Sequence, residues 1–311
     1  MSDLRLGWWA IAVAAVLAIA FAVSDPYYAS VLNLISISAL IASSLRFVML
    51  IGQINFATAA FVGLGAYASG ICATIFGLPF LVSIVGSVLA TSAVSIVFGA
   101  ITLRTKGPYF LLIGFAFTEA VRILYSKIDV IGGTSGMIGI FPPLYLDPWM
   151  PLIVSAIVLA ALFGLFVAER SEFGKVLVAI RDNEDVVRSV GLDVMFFKVA
   201  CFTLASAAAG LAGSLLAFVN SVISPGDFSF LLAAFALAYV KVGGEKHFLG
   251  PILGTVLLIP LASLALGLGG YEQVFYGGAI VLSVLLLPEG LTGAIRRLRG
   301  IGTRKERALA G

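Results

Sequence analysis

The sequence predicts an all-α, polytopic helical membrane protein with about ten transmembrane helices. Of its 311 residues, 61% are hydrophobic and 11% are charged, whereas about a quarter of the residues of a soluble protein are charged. Apolar stretches long enough to cross a hydrocarbon layer of about 30 Å follow one another along the chain. We therefore predict a single transmembrane domain over residues 1–311.

The predicted spans are apolar runs separated by polar or turn-rich breaks. They lie at about residues 6–24, 28–45, 54–76, 80–103, 108–126, 150–168, 199–220, 229–243, 249–268 and 273–289. The second and third runs are separated only by Arg46 and the softer stretch 51–55, and the eighth run is short. A count of nine therefore stays open.

The distribution of Lys and Arg predicts the orientation. With ten spans and a cytoplasmic N-terminus, all 19 Lys and Arg except Arg122 and Lys127 lie on the cytoplasmic side, including those of the basic tail at 290–311. Because positively charged loops stay in the cytoplasm, both termini are predicted there. Alternatively, the first run is a cleaved signal peptide ending near Ala22, which leaves nine spans and an external N-terminus.

The longest polar stretch, residues 169–198, predicts two short cytoplasmic helices. Apolar residues recur there at intervals of three and four, from Val176 to Val190, around the polar turn 181–185. Gly174 and Gly191 bracket the unit as turn residues. The apolar faces of such helices pack under the spans, lie in the headgroup layer or dock a soluble partner.

Polar side chains at membrane depth are the candidates for a translocation path, because they need partners there and often line a cavity. They are Gln53, Asn55, Thr58, Thr118, Glu119, Thr134 and Ser135. Glu119 and Arg122 lie three apart on one helix face, so a mutual ion pair is the alternative reading. The glycine-rich loop 132–136 either caps the outer mouth or forms a simple turn.

Small residues predict close helix packing in two spans. The rows are Ala59, Gly63 and Ala66 in one span, and Ala205, Ala209 and Gly213 with Ser206, Gly210 and Ser214 in the other. The two cysteines, Cys72 and Cys201, lie in apolar runs and are interpreted as packing residues rather than metal ligands.

The sequence contains no motif that would power transport. It has no Gly-x-x-x-x-Gly-Lys-Ser/Thr phosphate loop and no zinc, triad or dinucleotide signature, so the chain is not expected to be an enzyme. Glu119 is the only clear intramembrane carboxylate, which disfavours ion-driven transport. A self-sufficient secondary transporter or channel and a non-transporting scaffold remain alternatives. The small net charge of +3 bears on orientation and does not indicate a nucleic-acid partner.

Several motifs in fixed order resemble the permease subunits of ABC importers for branched-chain amino acids, the LivM type. The likeness covers nearly the whole chain beyond the first span. The chain departs from the family at two places. It has Thr58-Ala59-Ala60-Phe61 where the family usually has His-Ala-Ala-Phe, and after Gly243-Gly244 it has Glu245-Lys246-His247 where the family usually has a further Gly. Its motifs are Gly52 to Tyr67, Leu103 to Phe110 with Ala116 to Glu119, Gly132 to Gly136, Phe173 to Lys175 with Ala179 to Glu184, Gly191 to Asp193, Gly210 to Gly213 and Gly250 to Gly254.

The resemblance implies the ABC importer permease fold, in a bacterial inner membrane, with branched-chain amino acids or a related small amide or carboxylate as the solute. It implies a sister permease subunit, two cytoplasmic ATPase subunits that bind the ATP, and an external solute-binding protein, with no cofactor on this chain. Segment 169–198 would then form the coupling helices that the ATPase grips. The coupling residues are Gly174, Lys175, Ile180, Arg181, Asp182, Asn183, Glu184, Asp185 and Gly191.

Overall fold

The computed structural model describes residues 25–105, 107–265, 277–278, 281 and 290–293. Helices dominate these residues, and two short strands, β1 (Met137–Ile138) and β2 (Val222–Ile223), form an antiparallel pair. The α-helices are α1 (Pro26–Met49), α2 (Thr58–Thr74), α3 (Phe80–Thr102), α4 (Pro108–Lys127), α5 (Met150–Arg170), α6 (Glu172–Asp182), α7 (Glu184–Ser189), α8 (Val194–Asn220), α9 (Phe230–Gly243) and α10 (Gly250–Ala265).

Eight predicted spans coincide with apolar helices. Among the described residues, α1, α3, α4, α5 and α8 are long and apolar enough to cross a membrane, and α2, α9 and α10 are shorter apolar helices. The predicted all-α polytopic fold is confirmed. The first and last predicted spans, 6–24 and 273–289, and nearly all of the tail 290–311 lie outside the described residues.

The chain divides into two compact units. The first, residues 1–234, contains α1 to α8, both strands and the start of α9. The second, residues 235–311, contains the rest of α9 and α10. Within the second unit, Gly243 lies so close to the backbone of Gly250 that a Cβ atom would approach its carbonyl oxygen to 1.7 Å. Glycine is therefore needed where α9 and α10 meet.

Helix α8 lies at the centre of the first unit, where it packs against α1, α2, α3 and α5. Small residues allow its backbone to approach α2 directly, because they carry no bulk between the two helices. A Cβ atom on Gly65 would lie 2.1 Å from the carbonyl oxygen of Gly210, and one on Gly213 would lie 1.9 Å from that of Val62. The predicted close packing of these spans is confirmed.

The loops of the first unit gather at two opposite faces. Arg46, near the end of α1, contacts Glu169 at the end of α5, and Cys201 at the start of α8 donates to the carbonyl of Phe47. Gln53, after α1, donates to the carbonyl of Thr105, which precedes α4. Segments 50–57, 103–105 and 171–193 therefore share one face, which we call the basic face. Of the Lys and Arg that the structure describes in this unit, all except those at 122 and 127 lie there.

The opposite face is formed by loops 75–79, 128–149 and 221–229. Strand β1 pairs with β2 through Met137 and Ile223, and the amide of Ile140 donates to the carbonyl of Ser221. These contacts connect the loop after α4 to the loop after α8. The result is a compact cap over one end of the bundle, well away from the basic face.

Two of the helix boundaries that differ from the predictions concern buried charges. Arg46 was predicted to lie between two spans, but it belongs to α1 and is 3% exposed. Helix α8 begins at Val194 instead of residue 199, so Lys198 lies inside it, also 3% exposed. In both cases the cation is enclosed because a carboxylate pairs with it, which hydropathy alone does not register.

Candidate coupling segment and translocation path

The coupling segment, residues 169–198, folds as two consecutive helices that connect α5 to α8. Helix α6 ends at Asp182 and α7 begins at Glu184, so the turn between them is a single residue, Asn183. The side chain of Asn183 caps α7 by accepting from the amides of Asp185 and Val186 at 3.0 and 3.3 Å. The predicted pair of short helices is confirmed, but the turn is shorter than the predicted 181–185, because all of those residues except Asn183 are helical.

One side of the coupling segment is an apolar face packed inward. Ile180, Val187 and Val194 form a buried cluster, and Val176 and Phe197 pack against it. The three central residues come from α6, α7 and the start of α8, so the cluster joins all three helices. Burial of this face stabilises the hairpin on the bundle, since isolated helices of this length are marginal in water.

The two glycines of the segment have different environments. Gly191 has a φ of +86° and terminates α7 in a turn, as predicted. Gly174 was predicted to be a turn residue and is instead helical, inside α6. A Cβ atom on Gly174 would lie 1.9 Å from the carbonyl oxygen of Glu169, so glycine is required here for a close approach between α5 and α6.

A buried ion pair holds the start of the coupling segment. The guanidinium of Arg46 donates through both terminal nitrogens to the two carboxylate oxygens of Glu169, at 2.7 and 2.9 Å. The Arg46 side chain is 4% exposed and that of Glu169 is 19% exposed. Parallel hydrogen bonds of this kind fix the direction of both side chains as well as their distance. The end of α5 is thereby bound to the end of α1.

A second buried ion pair holds the middle of the segment. Glu184, the first residue of α7, pairs with Lys198 of α8, and their side chains are 13% and 4% exposed. Glu184 also contacts the guanidinium of Arg188 at 3.4 Å. Glu184 is therefore a structural anchor of α7, and its carboxylate faces the bundle instead of a soluble partner.

The outward side of the coupling segment is exposed and amphipathic. The side chains of Lys175, Asp182 and Asp185 are 68%, 66% and 90% exposed, and they are among the predicted coupling residues that a partner can reach. Val186 and Val190 beside them are 58% and 75% exposed. Unlike these two valines, Ile180 is 2% exposed and points inward.

The predicted path residues Gln53, Asn55, Thr58 and Thr118 meet around loop 50–57. Gln53 Nε2 donates to the carbonyl of Thr105 at 3.2 Å, and Thr58 Oγ1 donates to that of Asn55 at 2.9 Å. Thr118 Oγ1, on α4, donates to the carbonyl of Phe56 at 3.0 Å. All four residues are at most 5% exposed, and the side-chain oxygens of Gln53 and Asn55 accept no hydrogen bond from the described residues.

The remaining path candidates lie elsewhere. Glu119 accepts from Arg122 Nε at 2.7 Å, so the alternative reading of this pair as an intrahelical ion pair fits the structure. Thr134 and Ser135 are exposed in a short 3-10 helix at the opposite face. An apolar cavity of about 460 Å³ contains none of the predicted path residues. It is lined by Tyr67, Phe76, Tyr125 and aliphatic residues of α2, α3, α4 and the loops that follow α2 and α4.

Sequence reasoning missed three contacts of the coupling segment: the two buried ion pairs and a contact between the Arg181 stem and Gly52. A signal for the ion pairs was present, because Arg46 and Lys198 each lie within an apolar run, where an unpaired cation is costly. No local signal connects Arg181 to Gly52, since 129 residues separate them.

A comparison with known protein families identifies the architecture. The family model described as "Branched-chain amino acid transport system / permease component" matches residues 27–287. The chain belongs to this permease family. The expected resemblance is therefore confirmed, and the chain is a multi-pass helical membrane protein of this family.

Relatives of the permease differ in the solute that their names give. LivM of Escherichia coli, named a high-affinity branched-chain amino acid transport permease, is 29% identical over 74% of this chain and 61% of its own length. AraH of Azospirillum brasilense, an L-arabinose permease, is 28% identical over 79% of this chain and 75% of its own. AlsC of Escherichia coli, a D-allose permease, is 24% identical over 81% and 80%. The permease thus spans about three fifths of the length of LivM, and no solved structure matches it.

Proposed function

We propose that the chain is the transmembrane permease subunit of an ATP-driven ABC importer that moves branched-chain amino acids or a related small amide or carboxylate solute into the cytoplasm. The observation that carries this proposal is the family match over residues 27–287, together with the folded coupling segment between α5 and α8. A helical hairpin with an anchored inner side and an exposed outer side has the form that a docking element needs.

The outward side of the coupling segment is the proposed contact with the ATPase subunits. Asp185, Val186 and Val190 combine exposed charge with exposed apolar surface, a combination typical of transient protein interfaces. The inner side, centred on Ile180 and Val187, holds the hairpin to the bundle. Movement of the docked ATPases would thereby reach the spans, and ATP would bind to those subunits instead of to this chain.

The remaining partners and the orientation follow from the same assignment. A sister permease would complete the membrane part, and an external solute-binding protein would deliver the solute. Because Lys and Arg of the first unit concentrate at the basic face, that face is proposed to be cytoplasmic, with both termini on the same side. The cap at the opposite face, which includes Thr134 and Ser135, would then meet the binding protein.

Loop 50–57 is proposed to form part of the translocation path. It connects α1 to α2 at the basic face, and its buried amides at Gln53 and Asn55 retain side-chain oxygens that accept no hydrogen bond from the described residues. Buried polar side chains of membrane proteins often line a cavity, so the loop is proposed to border the path at this face. Thr58 and Thr118 are its proposed neighbours along the path, and Glu119, the residue after Thr118 on α4, remains a separate proposed path residue.

Reconstitution tests the function. The chain is purified with its sister permease and ATPase subunits and incorporated in vesicles, and solute uptake is measured with ATP, without ATP and with ion gradients clamped. Uptake that requires ATP and the binding protein supports the proposal. Uptake by this chain alone, driven by a proton or sodium gradient, would refute it. Leucine, a short amide, L-arabinose and D-allose are compared, and a preference for the sugars would overturn the proposed solute class.

The docking side is tested by charge reversal at Asp185. Because this carboxylate is 90% exposed, Asp185→Lys should leave the fold intact and reduce the amount of ATPase that copurifies with the complex. Asp147→Lys, an exposed charge reversal at the opposite face, is the matched control and should leave ATPase copurification unchanged. Equal copurification in both variants would contradict the placement of the docking side.

A further inference from the structure

The side chain of Arg181 lies directly over Gly52, at the first turn of loop 50–57. A Cβ atom on Gly52 would lie 2.9 Å from Arg181 Cγ and 3.8 Å from its Cβ, so the aliphatic stem of the arginine rests on the bare glycine backbone. Gly52 has a φ of +77°, a conformation that other residues rarely adopt. The guanidinium lies beyond this contact, where it is partly exposed and pairs with Asp182 at 3.2 Å.

Loop 50–57 is in turn bound to α4. Its carbonyl at Phe56 accepts from Thr118, and the side chain of Gln53 donates to the carbonyl of Thr105. Gly114 of α4 approaches so closely that a Cβ atom there would lie 2.9 Å from the amide nitrogen of Ala57. A displacement of the loop therefore cannot occur without a shift of α4, because packed interiors do not compress.

The coupling segment is equally constrained on its own side. The ion pairs of Glu169 with Arg46 and of Glu184 with Lys198 hold it at two points, and the buried cluster around Ile180 lies between them. Arg181 is the residue after Ile180, so its stem is the next part of the same helix to touch the bundle. The contact path from α6 to the buried amides consequently passes through Arg181 and Gly52.

We propose that Arg181 is a positioning residue, and that its aliphatic stem, rather than its charge, transmits movement of the coupling segment to loop 50–57 and α4. This inference rests on the proposed function, since it concerns how ATPase movement reaches the spans. It assigns a specific contact to that step: a flexible charged side chain acts through the methylene groups that lie on a glycine.

Two substitutions at Arg181 separate the stem from the charge. Arg181→Met keeps the contacting Cβ and Cγ atoms and removes the guanidinium, whereas Arg181→Ala removes Cγ and everything beyond it. In the reconstituted complex, solute moved per ATP hydrolysed should be close to wild type in Arg181→Met. It should fall about fourfold in Arg181→Ala, the shift expected from the loss of about one buried methylene group, since Cγ is the contacting atom that alanine lacks. ATPase copurification should be unchanged in both variants.

Each outcome has a distinct meaning. If both variants uncouple transport and lose ATPase subunits, the guanidinium is a docking group, and the inference is overturned while the proposed function stands. If both variants remain fully coupled, the stem contact transmits nothing and the inference is overturned as well. If the wild-type complex shows no ATP-dependent uptake, the proposed function itself fails, and the inference falls with it.

Discussion

Removal of the carboxylate of Glu169 should be among the most destabilising single changes in the coupling region. Only 4% of the Arg46 side chain is exposed, and its guanidinium donates two hydrogen bonds of 2.7 and 2.9 Å to the carboxylate of Glu169. A buried charge that loses its partner costs about 3–5 kcal/mol of stability. Since the Glu169 side chain is still 19% exposed, Glu169→Leu should cost about 3 kcal/mol, the lower end of that range.

Removal of both charges together should be far less costly. In Arg46→Met with Glu169→Leu no cation is left buried, so the double variant should lose only about 1 kcal/mol. The exposed pair Glu172 and Lys175 is a matched control, because its ion pair is equally short at 2.7 Å but its side chains are 87% and 68% exposed. Neutralisation of that pair should change stability by less than about 0.5 kcal/mol.

The assay is reversible unfolding in mixed detergent micelles, followed by the helical circular dichroism signal, for the two single variants, the double variant and the control. A double-mutant cycle should give an interaction free energy of about 2–3 kcal/mol for Arg46 and Glu169. The reasoning is refuted if Glu169→Leu costs no more than the control. It is also refuted if the costs of the two single variants simply add in the double variant.

Two further predictions concern the spans and use the same unfolding assay. Gly213→Ala places a methyl group 1.9 Å from the carbonyl of Val62 and should cost at least about 2 kcal/mol, whereas Gly164→Ala meets nothing within 4 Å and should be neutral or stabilising by up to about 1 kcal/mol. Equal effects would contradict the packing of α2 on α8. Glu119→Gln should lower the stability by less than about 1 kcal/mol, because the side chains of its ion pair with Arg122 are 24% exposed for Glu119 and 37% for Arg122. A loss of several kcal/mol of stability would indicate a structural role.

The spans were predictable because hydropathy is a local property. An apolar run of about twenty residues is enough to predict a transmembrane helix, and the helix boundaries accordingly fall within a few residues of the predicted ones. The small-residue rows were equally informative. Gly213 has no side chain to keep α2 at a distance, and Gly210 has none to keep α3 at a distance, so a row of such residues predicts close packing before the neighbour is known.

The contacts that fix the coupling segment were not predictable in the same way. Arg46 and Glu169 lie 123 residues apart, and each by itself reads as a charge at the end of a span. Their pairing depends on the parallel packing of α1 and α5, which no local pattern encodes. The same holds for Arg181 and Gly52, where the decisive feature is a missing side chain on one partner and the methylene groups of the arginine stem on the other.

The predicted coupling residues therefore divide into two groups with different physical roles. Ile180 and Glu184 face the bundle, so their substitution should loosen the hairpin itself, whereas Asp185 faces outward, so its substitution should weaken a partner's grip. Either change lowers transport, and transport alone cannot separate the two causes. ATPase copurification separates them when it is measured with the stability of the isolated permease. A loosened hairpin lowers both the ATPase copurification and the stability of the isolated permease, whereas a weakened docking surface lowers only the copurification.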